Sequence, residues 1–132
     1  MSLGRDVAAV AVGGVIGTGL RLAIDAALPH TDTEFPLSTL IINSVGSFVL
    51  AVLVVRVWPH ASSWVRAGLG AGVLGSFTTF SAVAVAMIPL LGSGQPGVAL
   101  GYLALTLVFG FGAAWLGLVL GAKAPDPEWV DE

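Results

Sequence analysis

The chain of 132 residues is 56% apolar and 10% charged, carries a formal net charge of -3, and contains 18 glycines and no cysteine. So little charge excludes a soluble globular domain, whose surface would need more, and the lack of cysteine excludes disulfides, thiolate metal sites and thiol catalysis. We therefore expect one compact unit embedded in a membrane.

Four apolar stretches are long enough to cross about 30 Å of hydrocarbon, which takes roughly 20 helical residues. They are Val7–Leu28, Phe35–Trp58, Trp64–Leu91 and Gly97–Gly121. We predict an all-α integral membrane fold with four transmembrane helices in a single domain over residues 1–124. The polar tail over residues 125–132 is expected to be disordered.

The charged residues predict the orientation of these helices. An even number of spans puts both termini on one side of the membrane. Arg5, Arg56, Arg66 and Lys123 fall on that side, and the opposite loops contain no Lys or Arg. The positive-inside rule then predicts that both termini are cytoplasmic.

The first helix contains small residues and one charged pair. Gly13 and Gly17 are four residues apart, a spacing that allows another helix to approach closely. Arg21 and Asp25 share a face and could pair. A membrane-embedded arginine marks function by default, whereas one near a helix end can snorkel to the interface. We expect Arg21 to serve as structural support or in a basic vestibule.

The second and fourth helices each carry a stripe of polar or small residues spaced four apart, which places each stripe on one helix face. The stripes are Thr39, Asn43 and Ser47, and Tyr102, Thr106 and Gly110. One buried asparagine alone is often a contact between helices contributing about 0.6 kcal/mol. Two stripes facing an interrupted helix favour a pore lining instead.

The third stretch is interrupted near its middle by Gly75-Ser76-Phe77-Thr78-Thr79-Phe80-Ser81. These hydroxyls can bond back to the preceding helical turn, or the helix can open there. Opened backbone at membrane depth is tolerated only inside protein or along an aqueous cavity. Its carbonyls can then hold a cation and its hydroxyls can donate to an anion. We predict a broken third helix.

The chemistry of the polar residues favours a pore over an enzyme. No nucleophile, base and orienting acid occur together at membrane depth, so we predict no catalysis. The available groups are an amide, hydroxyls, a phenol and aromatic edges, which carry partial positive charge. Such weak donors replace the water around a small ion without trapping it. The residues predict a small-ion pore, with an anion favoured.

Three segments resemble the signatures of the CrcB/Fluc fluoride channels, in the same order and on the same helices. They are Gly13-Gly14-x-x-Gly17-Thr18-x-x-Arg21, Ser38-Thr39-Leu40-Ile41-Ile42-Asn43-x-x-Gly46-Ser47-Phe48, and the interruption in the third stretch. The resemblance covers residues 7–121. It implies passive fluoride export and fluoride resistance, through an antiparallel dual-topology dimer in a prokaryotic cell (inner) membrane. Two fluoride pores would lie at the dimer interface, with a structural sodium ion at its centre.

The resemblance also implies roles for individual residues. By motif position, the backbone carbonyls of Gly75 and Thr78 would face the sodium ion, and Asn43 and Phe80 would line the fluoride path. Further polar positions along that path would be Thr39, Thr79, Ser81, Tyr102 and Thr106.

The chain departs from the family pattern after Ser81. Where that pattern continues with Thr, a second Phe, Ser and, two later, Glu, this chain has Ala82, Val83, Ala84 and Ala86. Some members of the family pair two homologous subunits of fixed, opposite orientation, in which residues for one pore can decay. The missing ring and the one-sided Arg and Lys distribution favour one half of such a heterodimer over a homodimer.

Two other functions compete with a fluoride channel. A small multidrug resistance transporter has a similar size and helix number, but it needs a membrane-embedded acid in its first helix. The only such acid here, Asp25, lies near the helix end beside Arg21. A non-conducting partner subunit is the third possibility, because the second ring is missing.

Overall fold

The computed structural model describes residues 3–122, which are helical apart from short connections. The helices are α1 (Leu3–Ala27), α2 (Leu37–Arg56), α3 (Ser63–Arg66), a π-helical segment (Ala67–Leu74), α4 (Gly75–Phe77), α5 (Phe80–Gly92) and α6 (Pro96–Gly121). The predicted tail over residues 125–132 lies outside the described residues.

Within residues 3–122, four helical stretches are long and apolar enough to cross a membrane: α1, α2, the run Ser63–Gly92 and α6. The described chain is therefore all-α with four helices of membrane-spanning length, as the sequence predicts. The largest difference between the predicted and observed bounds is at the start of α1, which begins at Leu3 rather than Val7.

Helix α1 packs directly on the backbone of the π-helical segment. A Cβ atom on Gly17 would overlap the carbonyl oxygen of Val73, and one on Gly72 would lie 2.9 Å from the carbonyl oxygen of Val10. Any side chain at these positions would force the two helices apart. The glycine spacing in α1 thus serves close helix packing.

Helices α2 and α6 form a second close pair. A Cβ atom on Gly117 would lie 2.6 Å from the carbonyl oxygen of Phe48. At the end of α2, Arg56 donates from Nη2 to the Leu120 carbonyl at 2.8 Å and from Nε to the Gly121 carbonyl at 3.1 Å. Because the last carbonyls of a helix lack helical partners, the guanidinium caps α6 and complements its dipole.

The buried core is small and lies between α2, α5 and α6. Leu40, Val83 and Tyr102 form it, and the ring of Phe35 meets Tyr102 edge-on with 5.3 Å between centroids. Many large apolar side chains of α1 and α6 remain exposed. Faces of this kind suit contact with lipid or with another subunit.

Candidate functional site

Two residues with extended backbone separate α4 from α5. Thr78 has φ -81° and ψ 152°, and Thr79 has φ -155° and ψ 118°. The helical path therefore ends at Phe77 and begins again at Phe80. The Thr78 amide still donates to the Leu74 carbonyl at 2.9 Å, but the backbone groups of Thr79 need partners outside the helix.

Asn43 on α2 supplies those partners. Its Oδ1 accepts from the Thr79 amide at 2.8 Å, and its Nδ2 donates to the Thr79 carbonyl at 2.9 Å. The side chain therefore binds both backbone groups of one extended residue. This contact uses one of the two Nδ2 hydrogens, so the second can donate to another group.

The hydroxyls around the break bond mainly to nearby backbone. Thr78 Oγ1 donates to the Leu74 carbonyl at 2.8 Å, one helical turn back. Thr79 Oγ1 accepts from the Ala82 amide at 3.2 Å and thereby caps the start of α5. It also lies 3.0 Å from the Ser81 hydroxyl, at an exposed position. The hydroxyls of Thr78 and Thr79 thus help to fix the shape of the break.

Two carbonyls at the break are well suited to a cation. In a continuous helix the Thr79 amide would donate to the Gly75 carbonyl, but here that amide donates to Asn43. Among residues 3–122, the hydrogen bonds found outside the helices include none to the Gly75 or Thr78 carbonyl. Unwound carbonyls of this kind coordinate sodium in other membrane proteins.

A cavity of about 400 Å³ at the break brings many of the predicted residues together. Those that line it are Asn43, Gly75, Thr78, Phe80 and Thr106. Phe80 is 65% exposed, so its ring stands free of the packed core. Gly46 has no role predicted from the sequence, yet a Cβ atom there would overlap the Thr78 side chain. Gly46 therefore lets the break lie against α2.

Three hydroxyl-bearing residues are buried between α2 and α6, and one of them, Thr106, lines the break cavity. Tyr102 is fully buried, Thr39 is 8% exposed and Thr106 is 6% exposed. The Tyr102 hydroxyl lies next to the Thr39 and Thr106 side chains. These contacts fall short of hydrogen-bond geometry, and within the described part of the chain neither Tyr102 Oη nor Thr106 Oγ1 has a hydrogen-bond partner. Buried hydroxyls without partners are unusual, and each is a donor that an anion can use.

Arg21 and Thr39 lie away from the break cavity. Thr39 lines a depression of about 520 Å³ together with Asp25 and Asp32. Arg21 is half-buried on α1 and lines neither this depression nor the break cavity. The charged residues that line the depression include Asp25 and Asp32 but not Arg21.

Val83, where the family pattern has its second Phe, is fully buried and packs with Leu40 and Tyr102. It does not line the break cavity. Its side chain therefore fills the core between the helices, a position that the sequence pattern could not reveal.

Residues 8–118 match the model of the family described as CrcB-like protein, Camphor Resistance (CrcB). The "Fluoride-specific ion channel FluC" of Deinococcus radiodurans is 42% identical over 120 residues, which cover 86% of this chain and 93% of that protein. The protein of the same name from Pseudomonas fluorescens Pf-5 is 43% identical over 120 residues, with 86% and 94% covered. "Fluoride-specific ion channel FluC 2" of Halalkalibacterium halodurans is 38% identical over 122 residues, with 90% and 87% covered.

Proposed function

This chain belongs to the CrcB family, and from that membership we propose that it is a multi-pass membrane protein that conducts fluoride passively and so provides fluoride resistance. Relatives that are named fluoride-specific ion channels match most of its length. The observation that carries the proposal is the extended pair Thr78–Thr79, held by Asn43 beside a cavity within the third span.

The fluoride path in this proposal starts from the donors at the break cavity. Asn43 offers its second amide hydrogen, Thr106 its hydroxyl and Phe80 the positive edge of its exposed ring. The buried hydroxyls of Tyr102 and Thr39 continue the path on one side. Thr79 and Ser81 offer a paired hydroxyl contact on the other.

The chemistry of this path suits a small, strongly hydrated anion. Each of these groups is a neutral or weakly polar donor, so each replaces part of the water that fluoride gives up. None of them carries a full positive charge that would hold the ion and stop conduction. Several weak contacts in sequence therefore allow both entry and release.

We infer that a second subunit closes the cavity, in an antiparallel dimer. Asn43 and the break residues Gly75 and Thr78 line a cavity that this chain encloses only in part. Lipid tails cannot hydrogen-bond these groups, and unwound backbone at membrane depth must be buried in protein or face water. The exposed rings of Phe80 (65%) and Phe111 (75%) line the same cavity and supply apolar contact area.

The partner in this proposal is either a second copy of the chain or a homologous CrcB subunit. The one-sided distribution of Arg and Lys supports a single orientation with cytoplasmic termini. Such a chain would need a homologue of opposite orientation to form an antiparallel dimer. We therefore favour one half of a heterodimer.

We also propose a structural sodium ion held by backbone carbonyls at the break. The Gly75 and Thr78 carbonyls suit it, because hydrogen bonds outside the helices leave both of them unused within the described chain. When bound, a sodium ion supplies positive charge that offsets their dipoles. Asn43 contributes indirectly, since it takes the amide that would otherwise occupy the Gly75 carbonyl.

The transporter alternative has less support. A proton-coupled exchanger needs its acid deep in the first helix, but Asp25 lies near the end of α1, which finishes at Ala27. Asp25 also faces the depression beside the loop that carries His30 and Asp32. An acid near a helix end is poorly placed to exchange protons across the membrane.

The proposal is tested by fluoride efflux from liposomes, measured with a fluoride electrode. The chain is reconstituted alone and then together with any homologue encoded beside it, with protein-free liposomes and chloride-loaded liposomes as controls. We expect fluoride efflux without matching chloride efflux in at least one of the two reconstitutions. Fluoride efflux no faster than from protein-free liposomes in both would leave the non-conducting subunit as the better reading.

A further inference from the structure

A separate groove lies between α1 and the α3–π-helical run, and it shares no lining residue with the break cavity. Its volume is about 560 Å³. The walls are apolar along its length, and among residues 3–122 the charged lining residue is Arg5, near the start of α1. The groove is therefore an apolar channel with a cation at one end.

The length of the groove matches one leaflet of a bilayer. Along α1 it extends from Arg5 to Ile16, which is roughly 16 Å at the rise of an α-helix. Half of a hydrocarbon core about 30 Å thick is about 15 Å. A chain that enters beside Arg5 and follows the groove would therefore end near the bilayer midplane.

Small residues produce the groove. Gly13 and Gly68 contribute no side chain, and a Cβ atom on Gly68 would lie 3.2 Å from the Cβ atom of Ala9. Val12 and Ile16 stand beside them with 61% and 50% of their surface exposed. The result is a furrow with a floor of backbone and methyl groups and with flexible aliphatic sides. An acyl chain fits such a surface because it needs no hydrogen bonds.

The end of the groove beside Arg5 has the features of a membrane interface. The Arg5 guanidinium carbon lies 4.6 Å from the ring centroid of Trp64, and tryptophan favours the headgroup region. The nearby carboxylate, Asp6, accepts a hydrogen bond from the Ser63 hydroxyl at 3.1 Å, which ties it to α3. Arg66, exposed on α3, adds a second positive charge at this end of the helix pair.

We propose that this groove binds an anionic phospholipid, with one acyl chain along α1 and the phosphate at Arg5. The cation at the interfacial end selects an anionic headgroup over a zwitterionic one, because basic residues near a membrane surface attract anionic lipid. The bound chain bridges α1 and the π-helical segment, and so stabilises a helix pair whose contact is otherwise made largely by glycine backbone.

The test uses quenching of Trp64 fluorescence by lipids brominated on their acyl chains. The full-length chain carries Trp58→Phe, Trp115→Phe and Trp129→Phe, so that Trp64 reports alone. It is reconstituted in phosphatidylcholine with increasing fractions of brominated phosphatidylglycerol or brominated phosphatidylcholine. We expect phosphatidylglycerol to bind about fivefold more tightly, the gain from one basic side chain at an anionic surface.

Two pairs of variants separate the headgroup contact from the chain contact. Arg5→Gln should remove the preference for phosphatidylglycerol, and Arg5→Lys should keep it. Ala8→Phe, which fills the groove, should weaken quenching by both lipids, whereas Ala11→Phe, on an exposed α1 position outside the groove, should not. Native mass spectrometry of the unsubstituted chain with the same two lipids provides a check that needs no tryptophan replacement.

Four results would overturn the proposal. Equal affinity for the two lipids in both measurements would exclude selection by charge, and a preference that survives in Arg5→Gln would place the headgroup elsewhere. Quenching that is weak for both lipids, or unchanged by Ala8→Phe, would mean that protein rather than an acyl chain covers the groove.

Discussion

Replacing Asn43 by aspartate exchanges its Nδ2 amide group for a carboxylate oxygen at the centre of the candidate site. In the wild type, Asn43 Oδ1 accepts from the Thr79 amide at 2.8 Å and Nδ2 donates to the Thr79 carbonyl at 2.9 Å. An aspartate can still accept the first hydrogen bond, but it has no donor for the second. It then places a carboxylate oxygen against a carbonyl oxygen. It also puts a negative charge beside the path proposed for fluoride.

The magnitude follows from these contacts. Leaving a buried acceptor without its donor costs about 1–3 kcal/mol, and the half-buried position of Asn43 favours the lower part of that range. Each ~1.4 kcal/mol is about tenfold in an equilibrium or a rate. We therefore expect Asn43→Asp to slow fluoride efflux by at least about tenfold, while the protein still inserts and assembles.

The assay is the initial efflux rate per reconstituted protein, with size-exclusion chromatography to confirm assembly. Ser47→Ala is the matched control, because Ser47 lines the same cavity one turn further along α2. Asn43→Leu removes both hydrogen bonds without adding charge, so it separates the loss of the clamp from repulsion of fluoride. Efflux by Asn43→Asp at the wild-type rate would show that Asn43 neither shapes the break nor faces the ion.

Four further predictions follow from the fold. Gly17→Leu should prevent close packing of α1 on the π-helical segment, because even a Cβ atom at Gly17 would overlap the Val73 carbonyl. Gly19→Leu is the control, because a Cβ atom at Gly19 meets open space. Thermal unfolding in detergent should show a lower unfolding temperature for Gly17→Leu only. Arg56→Ala should lower the stability by about 1 kcal/mol through loss of the α6 cap, and an unchanged unfolding temperature would contradict that role. Val83→Phe should destabilise the subunit by about 1–3 kcal/mol, because it overfills a closed core; a stable variant with faster efflux would instead support the missing-ring interpretation drawn from the sequence. Reporter tags at both termini should show the cytoplasm in nearly all molecules, and an equal mixture of orientations would restore the dual-topology homodimer.

Membrane insertion and helix number were accessible from the sequence because the bilayer imposes them locally. A run of about 20 apolar residues has no satisfactory conformation in hydrocarbon other than a helix. Turn residues then separate the runs, so the observed helices begin and end close to the predicted positions. The unusual composition of the third span, with glycine and hydroxyls near its middle, likewise marks the place where two residues are extended.

The tertiary structure decided which groups meet at that place. Asn43 and Thr79 are 36 residues apart, and periodicity within α2 cannot distinguish an amide that faces a pore from one that binds backbone across the bundle. The sequence predicts Arg56 as a charge that sets orientation, yet its guanidinium also caps the end of α6, where the Leu120 carbonyl is 64 residues further along the chain. Val83 occupies a motif position but lies in the core. Hydrogen-bond pairing and burial depend on distances between helices, and these distances arise only when the helices pack.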